Sequence, residues 1–334
     1  MKVARFHAPG DIRIEDAPEP VAGPGELKIR VRNCSTCGTD AKIFKFGHHH
    51  IVPPRVMGHE IAGEVVDTGA RVQVIAAIPC GTCPDCVAGR RTVCPNQESM
   101  GYHYDGGFAE YMIVPAKVLA VDGVNAIPDG VGFAEASVAE PLACVLNGQE
   151  LARVGARGRR GRDGRGPDRL PARAAGAGAR GEPGVPRGRQ RRAPGDGRRA
   201  RPSRRGHRRR PRRAGAEADR RPRRRRGDHG GGLRRRAGAG RADGGQAGSD
   251  QLFGGLPKDD PIIALDSNLV HYRELTIVGA NGSSPAHNAQ ALRLVAEGAV
   301  PVSDLITHRL PLPRVLDGID LVSRGAAIKV TIEP

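Results

Sequence analysis

The stretch Cys80-Gly-Thr-Cys83-Pro-Asp-Cys86-Val-Ala-Gly-Arg-Arg-Thr-Val-Cys94 is the most informative part of this chain. Four cysteines recur at C-x2-C-x2-C-x7-C spacing, and Gly81, Pro84 and Gly89 supply tight turns between them. That pattern predicts a short lobe folded around one tetrahedral zinc ion held by four thiolates. Two disulfides are the alternative for the same residues. They are disfavoured because Met1-Lys-Val-Ala-Arg5 shows no secretory leader and a reducing compartment keeps thiols free, so a cytoplasmic protein is expected. Cys34, Cys37 and Cys144 stand outside the cluster.

Upstream of the lobe lie Cys37-Gly-Thr-Asp40 and Gly58-His-Glu60. Cys, His and Glu are the ligand types of a zinc ion with an open coordination position. Neither motif is specific alone, because a single Cys is commonly an inert core residue and a His-Glu pair commonly a solvated face. Downstream come Gly106-Gly-Phe-Ala-Glu-Tyr111 and Glu140-Pro-Leu142.

Taken together and in this order, these motifs resemble the zinc-dependent medium-chain alcohol dehydrogenases, with the sorbitol and L-iditol (polyol) dehydrogenases the nearest branch. The resemblance covers about residues 1–153 and 251–334. It implies a GroES-like catalytic barrel joined to a doubly wound, parallel Rossmann sheet, an α/β plus β architecture. It also implies that Cys37, His59 and Glu60 are ligands of a catalytic zinc, with Glu140 beside them as ligand or partner of the bound water. Where Glu140 stands, the alcohol dehydrogenase branch proper would carry a Cys, which argues for the polyol side. Thr39 matches the hydroxyl that relays the alcohol proton toward solvent, although a turn hydroxyl bonding its own backbone is equally ordinary.

Residues 154–250 have a different character. They hold 32 Arg and no Lys against 9 Asp and Glu, no Phe, Tyr, Trp or Ile, and only Val154, Leu170, Val185 and Leu233 as large aliphatics. Such a segment cannot bury a core. The formal charge of +17 resides entirely there, since the other residues carry 21 basic against 27 acidic side chains. Arginine, glycine, alanine and proline without lysine are what GC-rich codons give when read out of frame. Shifted by one nucleotide, the codons of Gly164-Arg-Gly-Pro-Asp-Arg-Leu-Pro-Ala172 permit G-A-G-P-I-G-C-L-H, a G-x-G-x-x-G fingerprint. The flanking codons permit apolar strands and an acidic residue about 20 positions downstream, the parts of a dinucleotide-binding unit. A basic insertion would explain the composition as well, but not the fingerprint one base away.

The domain plan expected from these readings is a GroES-like catalytic domain at 1–150 with its zinc lobe at 80–94. A Rossmann domain at 151–285 follows, frame-displaced over 154–250, and then a return to the catalytic domain at 286–334. Strands are expected near 26–32 and 61–66, a helix over 134–151, and the last strands of the parallel sheet at 251–255 and 275–279. A helix is expected over 288–297 and a closing strand at 328–332. No run approaches the length of a membrane span. Between Ala70 and Arg71 the family usually carries about ten more residues, beyond an ordinary hairpin loop, so a shortened or badly formed turn is expected there. His48-His-His50 could bind metal or approach the substrate, but a Gly-flanked histidine run is ordinarily just exposed. Asn281-Gly-Ser-Ser-Pro285 could line the cofactor cleft or be an ordinary turn.

The functional expectation is hydride transfer between a secondary alcohol (a polyol, cyclitol or aminocyclitol) and NAD, which is preferred over NADP, in a chain holding two zinc ions. A threonine-type amino-alcohol dehydrogenase and an inactive zinc-binding remnant are the alternatives. The resemblance implies a homo-oligomer, dimer or tetramer, acting on a small molecule. Nucleic acid is not the expected partner despite the Arg-rich segment, because nucleic-acid tails of that kind normally mix Lys with Arg.

Overall fold

The computed structural model describes residues 1–154, 249–256 and 261–334. The expected glycine fingerprint and its strands fall within 155–248, outside the described residues. The strands are β1 (Lys2–Ala8), β2 (Asp11–Asp16), β3 (Leu27–Thr36), β4 (Arg55–Val56), β5 (Glu60–Val65), β6 (Arg71–Val74), β7 (Ala77–Ile78), β8 (Glu98–Ser99), β9 (Tyr111–Val114) and β10 (Val124–Ala126), followed by β11 (Ser249–Phe253), β12 (Thr276–Ala280), β13 (Ile306–Pro311) and β14 (Lys329–Glu333). The helices are α1 (Gly38–Phe46), α2 (Pro84–Val87), α3 (Ala116–Leu119), α4 (Phe133–Ser137), α5 (Ala139–Leu151), α6 (Ser267–Arg273), α7 (Pro285–Ala296) and α8 (Val315–Ser323).

Strand β3 organises the catalytic half. Its first residues alternate, with Ile29 and Val31 buried and Arg30 and Arg32 exposed, as expected for a strand with one solvated face. From Asn33 to Thr36 every residue is buried, because both faces of that end are covered and polar side chains there pair internally, as Ser35 Oγ does with Ser137 Oγ at 2.6 Å. The sheet runs β10-β6-β5-β3-β14-β13, with β9 also paired to β3. A second sheet, β2-β1-β4, closes the same core, in which Phe6, Ile29, Ile61, Met100, Phe108 and Ile332 are all but fully buried. β14 lies antiparallel to β3, with Val330 opposite Thr36 and Ile332 opposite Cys34, so the end of the chain is built into the N-terminal sheet.

The β5–β6 hairpin is shortened, as one of the two expected outcomes had it, and it is well formed. Val65 N donates to the Ala70 carbonyl at 2.8 Å, Ala70 N to Thr68 Oγ1 at 3.2 Å, and Gly69 takes the positive φ of 70° that the tight reversal requires. The helix expected over 134–151 is two helices broken at Val138. Pro141 has no N–H to give the Ser137 carbonyl, so the ladder is interrupted there. Helix α7 begins three residues earlier than expected, where Ser284 caps it and Pro285 occupies the first turn. β11 and β12 pair in parallel, Ser249 opposite Thr276 through Phe253 opposite Ala280, as a separate two-stranded sheet, while β13 and β14 pair in parallel within the large sheet.

Candidate metal centre

Cys37 follows β3 directly and is the N-cap of α1. Its sulfur accepts from Thr39 N at 3.2 Å, and its own N–H donates to Asp40 Oδ2 at 2.8 Å, a reciprocal capping box that fixes the thiol at the end of the strand. His59 is presented by Gly58, whose φ of 90° and close approach to Cys34 and Phe108 leave no room for a Cβ: one built there would lie 2.7 Å from Cys34 Sγ. The Gly106-Gly107-Phe108 segment clamps this turn. Gly106 N donates to Val56 O at 2.8 Å, Gly107 N to Gly58 O at 2.9 Å and Phe108 N to Met57 O at 3.0 Å. Glu60 opens β5 opposite Ser35, and Glu140 sits in the first turn of α5.

These elements bring the expected ligands together. Cys37 Sγ lies 3.3 Å from His59 Nε2, close to the roughly 3.6 Å that two such atoms span on one tetrahedral zinc ion. Ligand atoms of His59, Glu60 and Glu140 all lie within 4.8 Å of one another. On the far side of the ring, His59 Nδ1 is 3.5 Å from Asp40 Oδ1, and both atoms are buried without a formal hydrogen bond. This is the carboxylate-histidine arrangement that orients a metal-binding imidazole. Lys329 Nζ donates to both oxygens of Glu60, at 2.8 and 2.9 Å, and to the Thr36 carbonyl at 3.2 Å. Glu140 Oε1 accepts from the Cys144 thiol at 3.5 Å.

The electrostatics favour a cation. Cys37, Asp40, Glu60 and Glu140 are all buried, with Lys329 the buried ammonium among them. Burial pushes the Cys37 thiol up and Asp40 adds to this, while His59 opposes it. Burial likewise raises the Asp40 carboxyl. At His59 burial works against the charged form, but the negative charges of Cys37 and Asp40 outweigh it and hold the imidazole well above its ordinary value. A surplus of buried acidic groups around one imidazole is what a divalent ion would neutralise, and the donor set of one sulfur, one nitrogen and carboxylate oxygen fits zinc.

The four-cysteine lobe is separate. Cys80 Sγ and Cys86 Sγ are 4.0 Å apart and Cys83 Sγ and Cys94 Sγ 3.8 Å, against about 3.8 Å for sulfurs on one tetrahedral zinc and about 2 Å for a disulfide. All seven cysteines are free, so the disulfide alternative is not realised. Backbone N–H groups of Cys83, Cys86 and Cys80 donate to Cys80, Cys83 and Cys94 sulfurs at 3.3, 3.4 and 3.3 Å. N–H groups of Thr82 and Cys83 pull the Cys80 thiol down to about 5, while burial pushes Cys86 up to about 12. The lobe thus has the sulfur placement to hold one ion.

Thr39 is half-buried at the start of α1, beside the Cys37 thiol. The His48 and His49 rings stack, His50 meets His49 at a tilt, and His48 meets the Tyr102 ring edge-on with centroids 5.0 Å apart. Asn281 to Pro285 is a capping turn. Asn147 Nδ2 donates to the Asn281 and Gly282 carbonyls at 3.1 and 3.0 Å, and Ser284 caps α7. The sequence reading assigned no role to Asp40, Tyr102 or Lys329. Asp40 carried a signal, since an acid three residues after a helix-capping Cys is a capping-box pattern. Lys329 carried none, at a separation of 269 residues from Glu60.

Residues 23–124 match the family model of the alcohol dehydrogenase GroES-like domain. L-threonine 3-dehydrogenase of Pseudoalteromonas translucida (strain TAC 125) is 36% identical over 154 residues, 42% of this chain and 43% of the relative. L-galactonate-5-dehydrogenase of Escherichia coli (strain K12) is 33% identical over 170 residues, 47% of this chain and 49% of the relative. The chain thus spans about half the length of these curated relatives. Among solved structures, one from Sinorhizobium meliloti 1021, described as a zinc-binding dehydrogenase bound to NADP, superposes with a TM-score of 0.69 at 24% identity, covering 100% of this chain and 99% of the other. The fold is that of a GroES-like barrel combined with a Rossmann sheet. Residues 23–124 thus carry an alcohol dehydrogenase GroES-like domain.

Proposed function

We propose that this chain is a zinc-dependent oxidoreductase that passes hydride between a hydroxyl-rich secondary alcohol and NAD. The observation that carries the reading is the Cys37 Sγ to His59 Nε2 approach of 3.3 Å among the buried carboxylates of Glu60 and Glu140. Cys37 and His59, with a carboxylate from Glu60 or Glu140, would hold the catalytic ion, which when bound supplies the Lewis acidity that favours an alkoxide near neutral pH. Asp40 holds the His59 ring in place from behind, and Lys329 holds Glu60, so entry of Glu60 into the ligand set requires that ion pair to open. Thr39 takes the alcohol proton toward solvent. Cys80, Cys83, Cys86 and Cys94 would hold a second ion that shapes the lobe.

A polyol, cyclitol or aminocyclitol fits a carboxylate at position 140 and a chain without tryptophan to line an apolar slot. The galactonate relative supports a polyhydroxylated substrate, and the threonine relatives support the amino-alcohol alternative. We place the protein in the cytoplasm, a reading that its free cysteines support, and infer that it is a homo-oligomer. The test is NAD reduction with a panel of polyols, cyclitols, L-threonine and ethanol, using both the chain as written and one with the frame restored over 154–250. Turnover of a polyol above ethanol by the restored chain is expected. Ethanol turnover exceeding every polyol would refute the substrate class, and threonine turnover would select the alternative.

A further inference from the structure

Tyr102 packs against the candidate metal centre through the His59 ring. Its ring packs between His48 and His59, with centroids 5.0 and 5.8 Å away. Gly101 makes this placement possible: with a φ of 76° it passes so close to Gly58 that a Cβ there would lie 3.0 Å from the Gly58 carbonyl oxygen. The backbone that presents Tyr102 is therefore pressed onto the turn that presents His59. The ring is partly buried against the barrel core. Yet the phenol oxygen makes no hydrogen bond among the described residues, whereas Tyr104, two positions on, donates to Glu98 Oε2 at 2.7 Å. Burial raises the Tyr102 phenol well above its usual value, and the charges of Cys37, Asp40 and Glu140 add to this, so it stays a neutral donor and acceptor.

Tyr102 is only half-buried and its oxygen is not sealed in the core, so the hydroxyl is open to a ligand that reaches the Cys37/His59 centre. We infer that Tyr102 binds the hydroxyl on the carbon next to the reacting carbon, and so sets a preference for vicinal diols over simple secondary alcohols. This rests on the oxidoreductase reading above and deepens it: Cys37 and His59 define where the reacting oxygen sits, and Tyr102 reads its neighbour. A phenol also serves here better than a charged side chain, because it bonds a neutral hydroxyl without adding a further charge to an already acidic pocket.

The test uses the cobalt-loaded chain, in which ligands reaching the Cys37/His59 centre change the visible cobalt spectrum without any need for cofactor or turnover. 2,3-Butanediol and 2-butanol are titrated into the wild type and into Tyr102→Phe. The chelating advantage of a diol is common to both chains, so the comparison isolates the phenol. Tyr102→Phe should weaken 2,3-butanediol about 3- to 10-fold and leave 2-butanol unchanged, the effect of one lost hydrogen bond to a neutral group. An unchanged diol-to-alcohol ratio in Tyr102→Phe, or an equal loss for both ligands, overturns the role of Tyr102 while leaving the metal centre standing. A cobalt spectrum that neither alcohol perturbs in the wild type overturns the oxidoreductase reading and this inference with it.

Discussion

Lys329 Nζ, on the last strand of the chain, sits 2.8 and 2.9 Å from the two carboxylate oxygens of Glu60, at the start of β5. Both side chains are buried and the pair is separated by 269 residues. It ties the closing strand to the candidate metal centre.

Removing one partner of such a pair leaves an uncompensated buried charge. Lys329→Met is therefore expected to cost about 3–5 kcal/mol of stability, with much of the loss recovered when Glu60→Gln is added. Denaturant unfolding of the single and double variants measures this, and a single variant as stable as the wild type would contradict it.

Asp40 lies 3.5 Å behind His59 Nδ1, from where it would act on a bound metal through the ring. Asp40→Asn can still accept from Cys37 N, so the helix cap survives, but the carboxylate behind the ring is lost. Zinc affinity at the Cys37/His59 centre should fall about 10- to 100-fold while the four-cysteine lobe keeps its ion. Competition with a chromogenic chelator resolves the two sites, and equal weakening of both would show that Asp40 is merely structural.

Metal content should separate the two centres. The purified chain is expected to hold close to two zinc ions. Cys83→Ser should lose one together with folding of the lobe, whereas Cys37→Ala should lose one and leave the structural ion in place. Elemental analysis with circular dichroism reads both, and a well-folded, metal-free protein would sink the assignment.

Cofactor binding should depend on the reading frame. As written, residues 154–250 offer no glycine turn entering an apolar helix and no strand-end acid, so this chain should bind neither NAD nor NADP tightly. With the frame restored, binding should return and favour NAD, because the acid permitted at the end of the second strand repels a 2′-phosphate. Micromolar NAD binding by the chain as written, with turnover of a polyol, would overturn the frame displacement.

The parts legible in the sequence were those that the chain specifies locally. Cysteine spacing fixed the lobe because ligands within fifteen residues can surround one ion whatever the rest of the protein does. Alternating apolar residues place the start of β3, which buries one face there, whereas β5 is legible as a short apolar run because both its faces are covered. The helix over 134–151 was placed correctly but read as continuous, because apolar spacing persists through Val138 while the hydrogen-bond ladder does not.

By itself, then, the sequence determined the type of donor available (one Cys, one His and two Glu in short motifs) and the cluster of four cysteines, because local spacing and residue chemistry survive without a fold. Only the tertiary structure decided which of these meet. The β3–β5 register sets Glu60 opposite Ser35, and β14 brings Lys329 across to Glu60. The Gly58 and Gly101 turns bring Tyr102 against His59. Those contacts join residues tens to hundreds of positions apart, and they exist only when strand pairing and core burial fix the path of the backbone between them.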